Sequence, residues 1–212
     1  MTMSENAPQF PRWVSAIILL CCLAEGLLLL ADTLGWAQAR NGAVLYGAFW
    51  SVLMHGGLGV FPGQGAAMFL TYGFLHAGLL HLGMNMVSLA AVARELWRLM
   101  PARLMALSYA ASQVAAAATY GWMDPAGGPM IGASGAVFGL AGALFGYGGI
   151  WRFRTGRSMR PVWRAVAVVL GLNVALTLMM PQIAWQAHLG GAVAGLLVGL
   201  VAAGFRVART AR

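Results

Sequence analysis

Charged residues are scarce in this sequence: they make up 8% of its 212 residues, whereas hydrophobic residues make up 60%. Soluble domains usually carry about 25% charged residues, so the composition excludes an ordinary soluble domain and indicates a membrane protein. The hydrophobic segments leave no room for a soluble domain beside them. We therefore expect residues 1–212 to form a single membrane domain.

Cysteines and metal-binding patterns are also nearly absent. The two cysteines, Cys21 and Cys22, are adjacent in the first apolar run, where a disulfide is geometrically unfavourable and metal-ligand spacing is lacking. The chain has no H-E-x-x-H zinc motif and no pair of aspartates within its apolar segments. His76 and His81 are five residues apart, which does not place two imidazoles on one helical face, so a haem or metal carrier fits poorly. We expect no metal and no cofactor.

Long apolar runs dominate what is present. A membrane-spanning helix needs roughly 20 mostly apolar residues, and six segments qualify: about 13–33, 77–97, 103–121, 131–150, 162–180 and 185–205. A further apolar region, 43–75, is interrupted by several glycines and Pro62, so it predicts a long first loop with interfacial helices. The expected fold is an all-α membrane protein with a bundle of six transmembrane helices. Two inverted halves with matching broken helices, as in many transporters, are not visible.

Lysine is absent, and all thirteen basic residues are arginine. Twelve lie on one side of the predicted spans and Arg40 lies on the other, which by the positive-inside rule places both termini in the cytoplasm. The net charge of +8 therefore reflects topology, and no nucleic-acid partner is expected. The arginines within 152–164 determine topology first and also offer contacts to anionic lipids. All-arginine usage with abundant alanine and glycine favours a bacterial chain, integral to the cytoplasmic (inner) membrane.

Five polar side chains are expected at one depth near the outer face. Spans two, four and six all run from outside to inside, and His76, His81, Asn85, Ser134 and His188 fall early in them. Polar groups are costly in a bilayer and tend to face the bundle interior or a water-filled cavity. His81 and Asn85 are four residues apart and share a helical face. His76 lies about 140° round from His81, so it points elsewhere or belongs to the loop.

Four of the five, without His76, are expected to share one site and have the chemistry of a serine hydrolase. A serine attacks a carbonyl when a base removes its proton and donors stabilise the resulting oxyanion. Ser134 can supply the nucleophile and His188 the base, while His81 and Asn85 offer side-chain N–H donors. A helix N-terminus near Ser134 adds free backbone N–H groups. No carboxylate is placed to orient His188, so a Ser–His dyad is expected rather than a triad.

Packing is the alternative explanation for each of these residues. Glycines spaced along spans four and six permit close helix contact: Gly132, Gly135, Gly139, Gly142 and Gly146 in one, and Gly191, Gly195 and Gly199 in the other. His188 is open to a packing role, and His81 with Asn85 to interhelical hydrogen bonding. Glu25, in the first span, is either a functional ionisable group or a structural one. Contact between the two glycine rows would itself bring His188 to Ser134.

Three motifs occur in order: "HAGLLHLGMN" at 76–85, "GASG" at 132–135 and "AHLGGAVAG" at 187–195. They resemble the second-helix, serine and last-helix motifs of the rhomboid intramembrane serine proteases, and the resemblance covers essentially the whole chain. It implies Ser134 as nucleophile and His188 as general base. It also implies His81, Asn85 and the Ser134 backbone N–H as the oxyanion hole, with His76 in a structural role near the first loop.

The resemblance further implies a water-accessible cavity open to the outer side, with span five as a lateral gate. The implied reaction is hydrolysis of peptide bonds in or near transmembrane segments, without metal or cofactor. Partners would be the lipid bilayer and single-pass or other transmembrane substrates with small residues at the cleavage site. The alternative is a rhomboid-like protein that binds membrane clients without cleaving them; such proteins usually lose the serine or the histidine. Oligomeric state and the particular substrate stay open.

Two positions depart from the family pattern. Many rhomboids carry a Trp-Arg pair in the first loop, where this chain has Ala67 and Met68, which leaves open how the loop is anchored. Phe138 stands where some members have tyrosine, and its ring is expected to stack on His188. The residues expected to shape the site without reacting are His76, Gly132, Gly135, Phe138, Gly191 and Gly195.

Overall fold

The computed structural model describes residues 11–179 and 184–210, and the regular elements of these residues are helices. In chain order they are α1 (Arg12–Thr33), α2 (Gln38–Gly47), α3 (Ser51–Met54), α4 (Gln64–Thr71), a 3₁₀ turn (Tyr72–Phe74), α5 (Leu79–Trp97), α6 (Ala102–Met123), α7 (Ser134–Ala143), a π-helical segment (Leu144–Gly148), α8 (Gly149–Arg154), α9 (Arg160–Met179) and α10 (Trp185–Thr210).

Proline and glycine mark several of the helix boundaries. Pro11 and Pro101 directly precede α1 and α6, where a residue without an N–H costs no helical hydrogen bond. Gly78 precedes α5 with φ +93°, and Gly156 lies between α8 and α9 with φ +61°. Residues with a Cβ rarely adopt such angles. The helix ends therefore follow from local sequence.

Six helical stretches coincide with the six predicted spans: α1, α5, α6, the run from α7 to α8, α9 and α10. Among the described residues, three helices are long and apolar enough to cross a membrane: Arg12–Thr33, Ser134–Arg154 and Trp185–Phe205. A fourth is added if Gln64–Phe74 and Leu79–Trp97, bent by 84°, count as one span. The number of six spans stays a prediction. Positions 180–183, which include the predicted end of span five, lie outside the described residues.

Hydrogen bonds from side chains to the backbone hold the first loop together. The Gln64 side chain donates from Nε2 to the Leu45 carbonyl at 2.7 Å and accepts at Oε1 from the Val60 N–H at 2.8 Å. Thr71 Oγ1 donates to the Gly47 carbonyl at 2.8 Å. These bonds satisfy loop backbone groups that helices leave open. Helices α3 and α4 lie within the region 43–75, and their interfacial position stays a prediction.

The most extensive helix–helix contact among the described residues is that of α7 with α10. A Cβ at Gly195 would overlap the Gly139 carbonyl oxygen, and one at Gly191 would overlap the Gly135 carbonyl oxygen. The two backbones can approach this closely because neither side presents a side chain. The glycine spacing predicts this pairing, and it brings the start of α10 beside the start of α7.

Candidate active site

Ser134 is the first residue of α7, and the turn before it depends on Gly132. Gly132 has φ +120°, and its N–H donates to the Tyr72 carbonyl at 2.9 Å. The first intrahelical bond of α7 runs from the Val137 N–H to the Ala133 carbonyl at 3.1 Å. The N–H groups at Ser134 and the next two residues therefore point out of the helix without intrahelical acceptors. Such a terminus favours negative charge.

His188 lies in the first turn of α10 and meets Ser134 directly. Its Nε2 is 2.8 Å from Ser134 Oγ, a hydrogen bond between residues 54 positions apart. The Phe138 ring stacks on the imidazole, with centroids 4.5 Å apart and planes 11° apart. Of the ion pairs among the described residues, none includes His188. The arrangement is a hydroxyl–imidazole pair held by an aromatic face.

His81 lies on α5, buried, and its hydrogen bond sets its tautomer. The Ala77 N–H donates to His81 Nδ1 at 3.2 Å, so we assign the proton of the neutral ring to Nε2. That nitrogen faces the turn before Ser134, because a Cβ at Gly132 would lie 2.9 Å from it. An alanine at Gly132 would thus meet both this ring and an unfavourable φ. The structure places a side-chain N–H donor beside Ser134.

Asn85 is one turn further along α5 and is also buried. Its Nδ2 donates to the His81 carbonyl at 3.0 Å, and its Oδ1 has no protein partner among the described residues. The two residues share a helical face, as their spacing predicts. Asn85 is not among the described residues that line the cavity in front of Ser134.

His76 precedes α5 rather than lying on it. The residue is fully buried, and its ring meets the His81 ring edge to face, with centroids 5.2 Å apart. Its ring nitrogens make no hydrogen bond of ordinary geometry among the described residues, and the ring interacts with the Phe74 backbone. The spacing predicts that His76 either points elsewhere than His81 or belongs to the loop. The structure places it in the loop before α5, with its ring against that of His81.

A cavity of about 220 Å³ opens in front of the Ser134–His188 pair. Polar groups of the pair and of His81 form one part of its wall, and the rest is largely apolar or small. The lining residues are Tyr72, Ala77, His81, Tyr120, Pro129, Met130, Ile131, Gly132, Ser134, Gly135, Ala184, Ala187 and His188. The sequence did not single out Tyr72 or Tyr120, since an aromatic residue in an apolar chain carries no positional signal.

The first loop is anchored by Arg40. Its guanidinium donates to both Glu25 carboxylate oxygens, at 3.0 and 3.3 Å, and to Asp32 Oδ2 at 3.1 and 3.2 Å. It also reaches the His76 carbonyl at 3.4 Å. The bond to Glu25 raises the pKa of Arg40 above its usual value, so the side chain stays charged. The arginine that stood apart in the charge pattern thus ties α2 to α1 and to the segment entering α5.

Apolar packing completes this anchor. Met68 is fully buried with Phe49 and Tyr72. Phe49 also pairs through its backbone with Met130, in both directions at 2.9 Å, which joins the loop to the segment before α7. The loop is therefore held against α1 by the ion pairs of Arg40, and against the segment before α7 by packing and backbone hydrogen bonds of Phe49.

We expect Arg40→Gln to destabilise the protein by about 1–3 kcal/mol, because the buried Glu25 carboxylate loses its charged partner. Thermal unfolding in detergent would measure the loss. The double variant Arg40→Gln/Glu25→Gln removes both charges and should recover part of it. A single variant as stable as the parent would show that the pair contributes nothing.

The fold and the site together define a helical integral membrane protein with a Ser–His pair in a cavity. A profile of the rhomboid domain matches residues 64–205, two thirds of the chain. The chain belongs to the rhomboid family, as its motifs predict. A search of curated proteins gives no match. The match includes every residue predicted for the site, whereas Glu25, Asp32 and Arg40 precede it.

Proposed function

We propose that this protein is an intramembrane serine endopeptidase that hydrolyses peptide bonds in or near transmembrane segments of membrane proteins. The observation that carries the proposal is the 2.8 Å bond between Ser134 Oγ and His188 Nε2 beside a cavity. A packing role would need neither the bond nor the open space. Membership of the rhomboid family supports the same reaction class.

The chemistry follows from the positions of the two residues. Ser134 Oγ bonds to the carbonyl carbon while its proton passes to His188 Nε2. The C–N bond of the tetrahedral intermediate then breaks, and the imidazolium gives its proton to the leaving amine. Water releases the acyl group in the same way, with His188 taking its proton and returning one to Ser134. The Phe138 ring stacked on His188 would hold the imidazole plane in place during these proton transfers.

The oxyanion would be stabilised by donors on two helices. The Ser134 backbone N–H comes from the start of α7, and the His81 Nε2–H comes from α5. Asn85 donates one amide hydrogen to the His81 carbonyl, which would orient His81. Because Asn85 does not line the described cavity, its second amide hydrogen would serve the oxyanion only if the side chain turned toward Ser134. Donors held by helix packing in this way would need little reorganisation when substrate binds.

The size of the cavity suggests which residues flank the cleaved peptide bond. A volume of about 220 Å³ with Gly132, Ala184 and Ala187 in its wall accommodates small side chains at the scissile bond. The substrates would be single-pass or other transmembrane proteins. With cytoplasmic termini in a bacterial inner membrane, the cavity would open to the outer side.

A direct test uses the detergent-purified protein with a fluorophosphonate probe and, separately, with a single-span substrate carrying small residues near one membrane boundary. We expect covalent labelling of the protein and cleavage of the substrate, with prior labelling blocking cleavage. Stable substrate capture without labelling or cleavage, in a folded preparation, would favour the client-binding alternative and overturn the proposal.

We expect His81→Ala to lower kcat/KM by about 10²–10³-fold, the usual cost of removing one oxyanion donor. Asn85→Ala should lower it by roughly 10- to 1000-fold if Asn85 donates to the oxyanion, and less if it only orients His81. Steady-state cleavage of the single-span substrate measures both. An unchanged rate in the His81 variant would remove this side chain from the oxyanion hole.

A further inference from the structure

A second cleft, of about 790 Å³, lies between the end of α5 and the start of α9, at the opposite end of α5 from His81. Four arginines and one glutamate line it. The full lining is Ala91, Arg94, Glu95, Arg98, Arg160, Pro161, Arg164, Ala165 and Val168. No residue of the proposed active site takes part.

The charges in this cleft are unbalanced. The carboxylate of Glu95 pairs with Arg98 at 3.2 Å, and the ion pairs of the described residues do not include Arg160 or Arg164, which are exposed. The cleft therefore carries a net charge of +3. Guanidinium groups cannot lower this charge by losing protons at ordinary pH. An anion bound between the two helices would relieve the repulsion.

The apolar part of the wall distinguishes a lipid from a free anion. Ala165 and Val168 follow Arg164 along α9, and Ala91 precedes Arg94 on α5, so both helices become apolar toward the middle of the molecule. Val168 and Leu170 are exposed on α9. A polar headgroup at the arginines would leave its acyl chains beside these apolar surfaces.

We propose that this cleft binds the phosphate of an anionic phospholipid, held by Arg160 and Arg164 from α9, with Arg98, the residue after α5 that also pairs with Glu95, beside them. Guanidinium and phosphate form charge-assisted, often bidentate hydrogen bonds. The bound headgroup would link the ends of α5 and α9 that carry like charge. The site needs no proteolytic activity, so its test is independent of the proposed function.

The test measures lipid binding to the intact, detergent-purified protein by native mass spectrometry. Dioleoyl-phosphatidylglycerol is the probe, dioleoyl-phosphatidylcholine the neutral lipid, and inorganic phosphate the free anion. The double variant Arg160→Gln/Arg164→Gln removes two cleft charges. Its matched control, Arg12→Gln/Arg154→Gln, removes two exposed arginines outside the cleft.

We expect phosphatidylglycerol to bind the parent at least about tenfold more tightly than phosphatidylcholine. The cleft variant should lose about tenfold in affinity or more, and the control should stay within about twofold of the parent. Equal affinity in the cleft and control variants would overturn the site. Inorganic phosphate that displaces the lipid at equal concentration would overturn the assignment to a lipid.

Discussion

Replacing Ser134 with alanine is expected to lower peptide-bond hydrolysis by about 10⁴-fold or more while leaving the fold unchanged. The substitution removes the attacking oxygen but keeps the Cβ, and among the described residues the lost oxygen makes one side-chain hydrogen bond, to His188. His188→Ala should be nearly as severe, because the hydroxyl then has no base. The double variant should be no slower than the worse single variant, since the two groups act in the same step.

Cleavage of the single-span substrate and fluorophosphonate labelling measure this effect together. Ser88→Ala is a matched control, because Ser88 is a buried serine on α5 that does not line the cavity. It should retain activity within a few-fold of the parent. Turnover close to that of the parent in Ser134→Ala would exclude Ser134 as the nucleophile, and labelling that persisted there would point to another residue.

Gly195→Ala is expected to have the second large effect, on both stability and rate. The new methyl group would overlap the carbonyl of Gly139, a backbone atom of α7 that cannot rotate away. Overpacking of this kind costs about 1–3 kcal/mol. The helices must separate, and because His188 is carried on α10 and Ser134 on α7, their hydrogen bond lengthens. A misplacement of about 1 Å can lower a rate by about 10²-fold.

Gly204→Ala is the matched control on the same helix. A Cβ at Gly204 has nothing within 4 Å, so this variant should be as stable as the parent or up to about 1 kcal/mol more stable, because alanine favours the helix. Thermal unfolding and cleavage rates measure the pair of variants. Equal stability and activity in both would show that close approach of α7 and α10 does not hold the site.

Much of this molecule could be predicted from local sequence patterns. Apolar runs and punctuating residues such as Pro101 located the helices, because hydrophobic length and proline act within a few residues. The spacing of His81 and Asn85 predicted a shared face, which the structure has. The motifs predicted the rhomboid family, which the domain match confirms. The count of six spans was not confirmed, since helix length and hydropathy identify three or four.

Other features have no local signal. In the sequence, Glu25 is an acid inside a predicted span and Arg40 is the arginine predicted to lie opposite the other twelve, and nothing in their spacing joins them. Their contact, together with the bond from Arg40 to the His76 carbonyl, depends on how α2 lies against α1. The cleft between α5 and α9 likewise depends on which helices are neighbours.

The sequence by itself determined the membrane class, the helices and the residue types at the site, because these depend on composition and on periodicity along one helix. Only the tertiary structure decided that Ser134 and His188 meet at 2.8 Å, that the Ala77 N–H donates to His81 Nδ1, and that Arg40 anchors the first loop. Such contacts join distant segments, and their geometry is set by how closely helix backbones pack. The separation of the α7 and α10 backbones depends on glycines, which have no side chain to keep the two helices apart.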